Sequence, residues 1–359
     1  MRGDGCGSRP VKNEWEFPFP VAVPSGDCKI QAMRTYDGKA AKDRMNLLAE
    51  KGRNFIFVID YRGDEAFVEP LEEIDPAECL FNFRGIGNTG DSAGSDGRPI
   101  EWCMTPPAPD AYARSFAFVR HALLVGNSYL VNLTCRIPVK ANLSMRELFL
   151  RAVAPYRLWM RGRLVCFSPE CFIRLRHGEI SSYPMKGTMD AMQPDAARLL
   201  MNNEKEAAEH ATIVDLIRND LSMVADHVTV RKYRYIDCLH TNTGHILQTS
   251  SEIVGKVLPQ FSRRIGDLVF SQLPAGSITG APKKKTCEII AAAEGCPRGF
   301  YTGVMGCWCE GVLDSAVMIR FIDTEGGRLY FRAGGGITAR SREVDEYHEV
   351  IQKVYVPIC

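Results

Sequence analysis

Four glutamates and one lysine stand at spacings that could do chemistry. In EKEAAEHATIVDLIRNDL, Glu206 and Glu209 fall on the same side of a helix of 3.6 residues per turn as Ile213, Leu216 and Ile217. In REVDEYHEVIQKVYV, Glu346, Glu349 and Lys353 align beside Tyr347, Val350 and Val354. A carboxylate buried on an apolar stripe needs a cation or strong donors, whereas one near an exposed helix start is simply solvated. If the two helices meet, the two pairs can share one Mg²⁺, which takes carboxylate oxygens, keeps several waters and bridges to anionic substrates. Spacing alone does not bring helices together, so the solvated and the metal-holding arrangements both stand at this level.

Lys186 sits in SSYPMKGTMDA, where Pro184 fixes one backbone angle and Gly187 permits close approach. The stretch predicts a short turn, and its lysine is either a solvated charge or a nucleophile held in place. Two glycine-rich stretches, PAGSITGAPKKKT (Pro274 to Thr286) and FRAGGGITARS (Phe331 to Ser341), predict turns whose successive N–H groups bind an anion. The first is not a P-loop: Gly276 and Gly280 are too close, and Ala281-Pro282 separates Gly280 from Lys283. A small carboxylate suits the same physics. His240 and His245, in HTNTGHIL, lack a matching His or Cys cluster and read as hydrogen-bonded polar side chains. Neither a G-x-S-x-G elbow nor a Cys/His amidotransferase signature is present, so release of ammonia from glutamine is not encoded here.

The elements that must position these groups mix strands and helices without a regular βα period. A helix from Asp110 (AYARSFAFVRHALLVG) leads into the strand SYLVNLTCRIP, and strands such as LVCFSPECFIRL and HILQTSSEIVGKV then alternate with the helical EAAEHATIVDLIRNDL and PKKKTCEIIAAA. That mixture predicts a large α+β arrangement and argues against a doubly wound nucleotide fold. Gly85-x-Gly87-x-x-Gly90 matches a dinucleotide fingerprint formally, but turn residues follow it where a helix should start. The first forty residues are rich in Pro and Gly, and strand patterning begins at NFIFVID.

A chain of 359 residues, 45% hydrophobic and 24% charged, can bury a large core. Its formal net charge of +1 gives no global attraction to nucleic acid or an anionic membrane. It has neither a long uncharged apolar run nor the apolar segment of a secretory signal, so a soluble, cytosolic protein is expected. Thirteen scattered cysteines, an odd number, predict buried free thiols and no structural zinc.

The ordered set SPE (Ser168 to Glu170), PMKGT, EHATIVDLIRND, HILQTS, GSITGAPK, YTGVMG, MIR, AGGGI and EYHEVIQK resembles the chorismate-utilising enzymes, and within them the component I aminodeoxychorismate synthases of para-aminobenzoate and folate biosynthesis. The resemblance spans Asp110 to the C-terminus and is loose over residues 1–109. It implies one large unit in which two β-sheets pack together with helices outside, residues 110–359 forming the catalytic region.

For the site, the resemblance implies that Glu209 and Glu349 ligate Mg²⁺ directly while Glu206 and Glu346 act through metal-bound water. Tyr301, Arg320, Lys353 and the backbone of Gly334, Gly335 and Gly336 would hold substrate carboxylates, with Thr279 and Gly280 along the substrate ring and His245 near the leaving hydroxyl. Glu170 would be the general acid, its pKa raised by burial or by neighbouring carboxylates. Lys186 would attack the ring covalently, which calls for a depressed pKa; anthranilate synthases usually carry alanine there. Isochorismate and salicylate synthases carry a water-activating lysine near Leu130, and ammonia-using relatives usually glutamine. Leucine matches neither and argues against water addition. Chorismate and ammonia are the implied substrates, with ammonia supplied by a separate glutamine amidotransferase subunit. Anthranilate synthase, and a non-catalytic chorismate-binding subunit, are the alternatives.

Overall fold

The computed structural model describes residues 33–89, 98–241 and 244–358. Among them, strands build two antiparallel sheets, one of ten strands and one of nine. The side chains explain the layering. In Phe55–Ile59, where every residue is buried, Phe55, Phe57 and Ile59 pack with Met45 and Leu48 of the Gly38–Glu50 helix and with Ile213 and Ile217 of the Glu204–Ser222 helix. Ile56 and Val58 point the other way, into a core shared with Phe81, Phe83 and Leu158 of the nine-stranded sheet. In Leu164–Ser168, Leu164 and Cys166 face that shared core, while Val165 and Phe167 meet Tyr112, Phe116 and Ile289 of outer helices. The result is two sheets face to face with helices outside. Strands buried on both faces read as continuous apolar runs, which is why alternation was weak in the sequence.

The helix Gly38–Glu50 was not foreseen. Asp37 caps it, accepting the Ala40 N–H at 2.8 Å, and Ala41, Met45 and Leu48 form its buried stripe. Residues before Asp110 supply strands to both sheets; Phe55–Ile59 pairs directly with Val304–Cys309. Ile86 and Gly87 pair back on Phe83 and Asn82 in a tight hairpin, which accounts for the accidental fingerprint; its third glycine, Gly90, lies outside the described residues. Cys79, Cys166, Cys171, Cys307 and Cys309 are buried free thiols, whereas Cys103, Cys238 and Cys296 are exposed. No helix among the described residues is long and apolar enough to cross a membrane.

Two expected turns are strands. Gly334, Gly335 and Gly336 lie in Arg328–Ile337, which pairs with Leu130–Ala141 in unbroken register from Leu329↔Val139 to Ile337↔Val131. Glycine is used here for close approach: a Cβ at Gly334 would stand 2.5 Å from the Leu133 carbonyl oxygen. Gly334→Ala should therefore strain the backbone and cost about 1–3 kcal/mol, read as a lower urea midpoint. Gly335→Ala, whose Cβ would meet only side-chain atoms at 3.5 Å or beyond, should unfold near the wild-type midpoint. Equal midpoints for all three proteins would remove the close-approach explanation.

Lys186 belongs to Met185–Asp190, the edge strand of the ten-stranded sheet, paired with Gly244–Val257. The register slips between Lys186 and Thr188, where Gly187 takes φ +75°. The sequence signal read as a turn is thus a β-bulge, which an edge strand tolerates and which re-aims its side chains. The Thr249 hydroxyl donates to the Lys186 carbonyl and ties the bulge to the neighbouring strand.

Candidate functional site

Both sheets and two helices open onto a cleft of about 530 Å³. The Glu204–Ser222 helix turns Glu206 and Glu209 into it, and the Glu343–Gln352 helix turns in Glu346 and Glu349. Lys186 comes from the bulged strand, Glu170 from the connection after Leu164–Ser168, and the three glycines from the floor strand. Both helices face the same cleft, and their glutamates differ in exposure: the Glu209 side chain is 10% exposed and that of Glu346 3%, whereas that of Glu349 is 45% exposed.

Three ammonium groups answer these carboxylates. Lys186 Nζ donates to Glu209 Oε2 at 2.9 Å. Lys205 Nζ stands 3.8 Å from Glu209 Oε1 and 3.7 Å from Glu346 Oε1, spanning the two helices. Lys353 Nζ pairs with Glu349 Oε1 at 2.6 Å and donates to the Gly334 carbonyl at 2.9 Å. Burial raises the Glu206 pKa and the Glu209 charge raises it further; burial also raises that of Glu346. For Glu349 burial acts the same way, but Lys353 together with Lys186 and Lys205 outweighs it and the pKa is lowered. Burial lowers the Lys353 pKa.

Lys186 departs from expectation. Burial is the largest single influence and depresses its pKa, but the Glu209 carboxylate together with Glu349 and Glu206 outweighs it and the net shift is upward, which favours the ammonium.

Glu170 is partly buried in the cleft wall, and burial raises its pKa as expected; the Ser277 hydrogen bond and the charges of Lys186, Arg320 and Lys353 pull the other way without cancelling it. Ser277 Oγ donates to Glu170 Oε1 at 2.6 Å. Removing that donor should raise the Glu170 pKa further, because the bond favours the carboxylate. If protonated Glu170 is the acid, Ser277→Ala should move the alkaline limb of the kcat–pH profile to higher pH. A limb that stays put, or moves down, would detach Glu170 from the titration.

Arg320 adopts φ +53°, and its buried Nε has no hydrogen-bond partner among the described residues. Its guanidinium lies over the Tyr355 ring, 5.0 Å from the centroid. An unpartnered guanidinium N–H in a cleft suits a carboxylate. Tyr301 is buried at the cleft wall against Phe321, and burial pushes its hydroxyl pKa up. Thr279 and Gly280 do not line the cleft: Ser277 and Ile278 do, and Gly280 packs so closely on Leu130 that a Cβ would stand 1.8 Å from its carbonyl oxygen. Leu130 itself is buried and lines the cleft beside Gly336. The His245 backbone pairs with His240 at the end of a long hairpin, but the side chains of both lie outside the described residues.

Sequence reasoning missed Ser277 and Lys205. Ser277 was inside the quoted GSITGAPK and needed only its partner; Lys205 is at i to the i+4 carboxylate Glu209, a visible helical pair.

The donor set suits Mg²⁺. Carboxylates from two helices converge, and Glu209 Oε1 is a buried oxygen without a hydrogen-bond donor among the described residues. No three His, Cys, Asp or Glu side chains among the described residues stand at metal-holding distances.

A family model described as chorismate binding enzyme matches residues 64–358, which contain all of these cleft residues. The chain belongs to the chorismate-binding enzymes. This chorismate-utilising enzyme is 46% identical over 313 residues to an uncharacterized PabA-like protein of Pasteurella multocida, covering 87% of this chain and 97% of that protein. It is 35% identical over 263 residues to aminodeoxychorismate synthase component 1 of Klebsiella aerogenes, covering 68% of this chain and 56% of that protein. Its fold is that of anthranilate synthase component I from Streptococcus pneumoniae, with a TM-score of 0.63 at 21% identity over 93% of this chain and 82% of that chain.

Proposed function

We propose that this chorismate-utilising enzyme is a cytosolic component I aminodeoxychorismate synthase, which converts chorismate and ammonia to 4-amino-4-deoxychorismate and water. The observation that carries this reading is Lys186, an amine placed inside the cleft. Its Nζ is 3.4 Å from where a Cβ of Gly336 would stand, and its charge is felt at Glu170. The 35% identity to a Klebsiella protein of that name supports the same product, whereas the likeness to the solved anthranilate synthase concerns the fold alone.

Arg320, Tyr301, Lys353 and the glycine strand would orient the two substrate carboxylates. Lys186, once it has given up its proton, attacks the ring; a C–N bond forms as the ring hydroxyl's C–O bond breaks. Hydroxide is a poor leaving group, so Glu170 transfers its proton to the departing oxygen and water is released. Ammonia then displaces the lysine, its own C–N bond forming as the lysine's breaks, and the resulting ammonium returns a proton to Glu170, leaving the product amine and a free Lys186. Leu130 has no group that could deprotonate water, which favours an amine over water as the incoming nucleophile.

Glu209 and Glu349 would hold Mg²⁺ directly and Glu206 and Glu346 through water; when bound, the cation supplies positive charge to a substrate carboxylate. Ammonia would come from a separate glutamine amidotransferase, in keeping with the component naming of the Klebsiella relative, and a lyase would complete para-aminobenzoate.

With Mg²⁺ and chorismate, the chain alone should consume chorismate when given an ammonium salt and not when given glutamine. Chorismate left intact with ammonium would sink the synthase reading; equal consumption with glutamine would sink the separate partner.

A further inference from the structure

Lys205 carries a charge for which the proposed reaction has no use. Its side chain is 50% exposed, and its ammonium is the one that spans Glu209 and Glu346, carboxylates of different helices. At 3.8 and 3.7 Å these are charge contacts without a hydrogen bond, so moving the ammonium into water breaks no directional bond. Lys186 and Lys353, by contrast, are each anchored by hydrogen bonds. The oxygen that Lys205 faces, Glu209 Oε1, belongs to a side chain only 10% exposed and has no hydrogen-bond donor among the described residues. A buried carboxylate oxygen that lacks a donor is a position for a cation.

We propose that Lys205 is a displaceable internal counter-ion: it neutralises the two glutamate pairs in the metal-free enzyme and must swing out for a divalent cation to bind. This role presupposes the proposed Mg²⁺ site. The charge balance explains what it would accomplish. Among the described residues, the cleft is lined by Glu170, Glu206, Glu209, Glu346 and Glu349 against Lys186, Lys205, Lys353 and Arg320. Apart from Glu170, the proposed proton donor, four glutamates face four cationic side chains. A divalent cation that displaces Lys205 leaves an excess of one positive charge, and a dicarboxylate substrate more than offsets it. Lys205 therefore competes with the metal for the same carboxylates and weakens its binding.

The test is Mn²⁺ binding by electron paramagnetic resonance and Mg²⁺ binding by calorimetry on the full chain. Wild type, Lys205→Met and Lys205→Arg are compared with and without chorismate. Lys205→Met should bind either metal roughly three- to tenfold more tightly without chorismate, a range set by a half-exposed, solvent-screened charge. Lys205→Arg, which keeps the charge, should stay near wild type. The melting temperature of Lys205→Met should be lower than wild type in EDTA and rise more with Mg²⁺. If wild type binds metal and Lys205→Met binds it equally or more weakly, the counter-ion role is wrong while the metal site stands. If wild type binds neither metal, with or without chorismate, both fall. Lys205→Gln serves as a second neutral variant should the methionine impair folding.

Discussion

Lys186→Ala is expected to lower formation of 4-amino-4-deoxychorismate by roughly 100-fold, about 2.7 kcal/mol of transition-state stabilisation, leaving weak turnover by direct attack of ammonia. The alanine variant alone does not isolate nucleophilicity, because Lys186 also neutralises Glu209 at 2.9 Å. Lys186→Arg separates the two roles: arginine keeps a positive charge beside Glu209 but does not deprotonate to a nucleophile in a protein. If covalent attack matters, both variants lose the reaction, and the arginine variant keeps the stability that alanine gives up. Full activity in either variant would remove the covalent step and leave Lys186 as a counter-ion. The amine must first lose the proton that its carboxylate neighbours favour, so the metal-free ion pair is a resting arrangement rather than the reactive one.

Glu170→Gln is expected to lower kcat by about 10²–10⁴-fold with little change in KM, the range for loss of a positioned general acid. Glutamine fills the same buried space and can still take the Ser277 hydrogen bond, but it cannot give a proton to the departing hydroxyl. A raised KM with unchanged kcat would instead make Glu170 a binding residue.

The outer parts of this account were legible before any coordinates. The periodic apolar stripes of Glu204–Ser222 and Glu343–Gln352 announced helices, and their carboxylates at i and i+3 announced a shared face. That those faces look at one another was not legible, because helix meeting is a tertiary fact. The Gly38–Glu50 helix was obscured by its Pro- and Gly-rich approach, although Asp37 and the Ala41, Met45, Leu48 spacing were there to be read. The turns assigned to Lys186 and to Gly334–Gly336 failed for one reason. Glycine and proline mark departures from regular backbone, and local sequence does not distinguish a turn from a bulge or from a strand pressed against its neighbour. The Lys186 pKa was misjudged because burial was foreseen and the Glu209 ion pair was not.

The identity of the reaction is read most directly from its product. The chain would be incubated with chorismate, Mg²⁺ and ¹⁵N-ammonium, and the product resolved by mass spectrometry and NMR. The expected product is ¹⁵N-labelled 4-amino-4-deoxychorismate. Labelled anthranilate would contradict it, as would isochorismate, which contains no nitrogen.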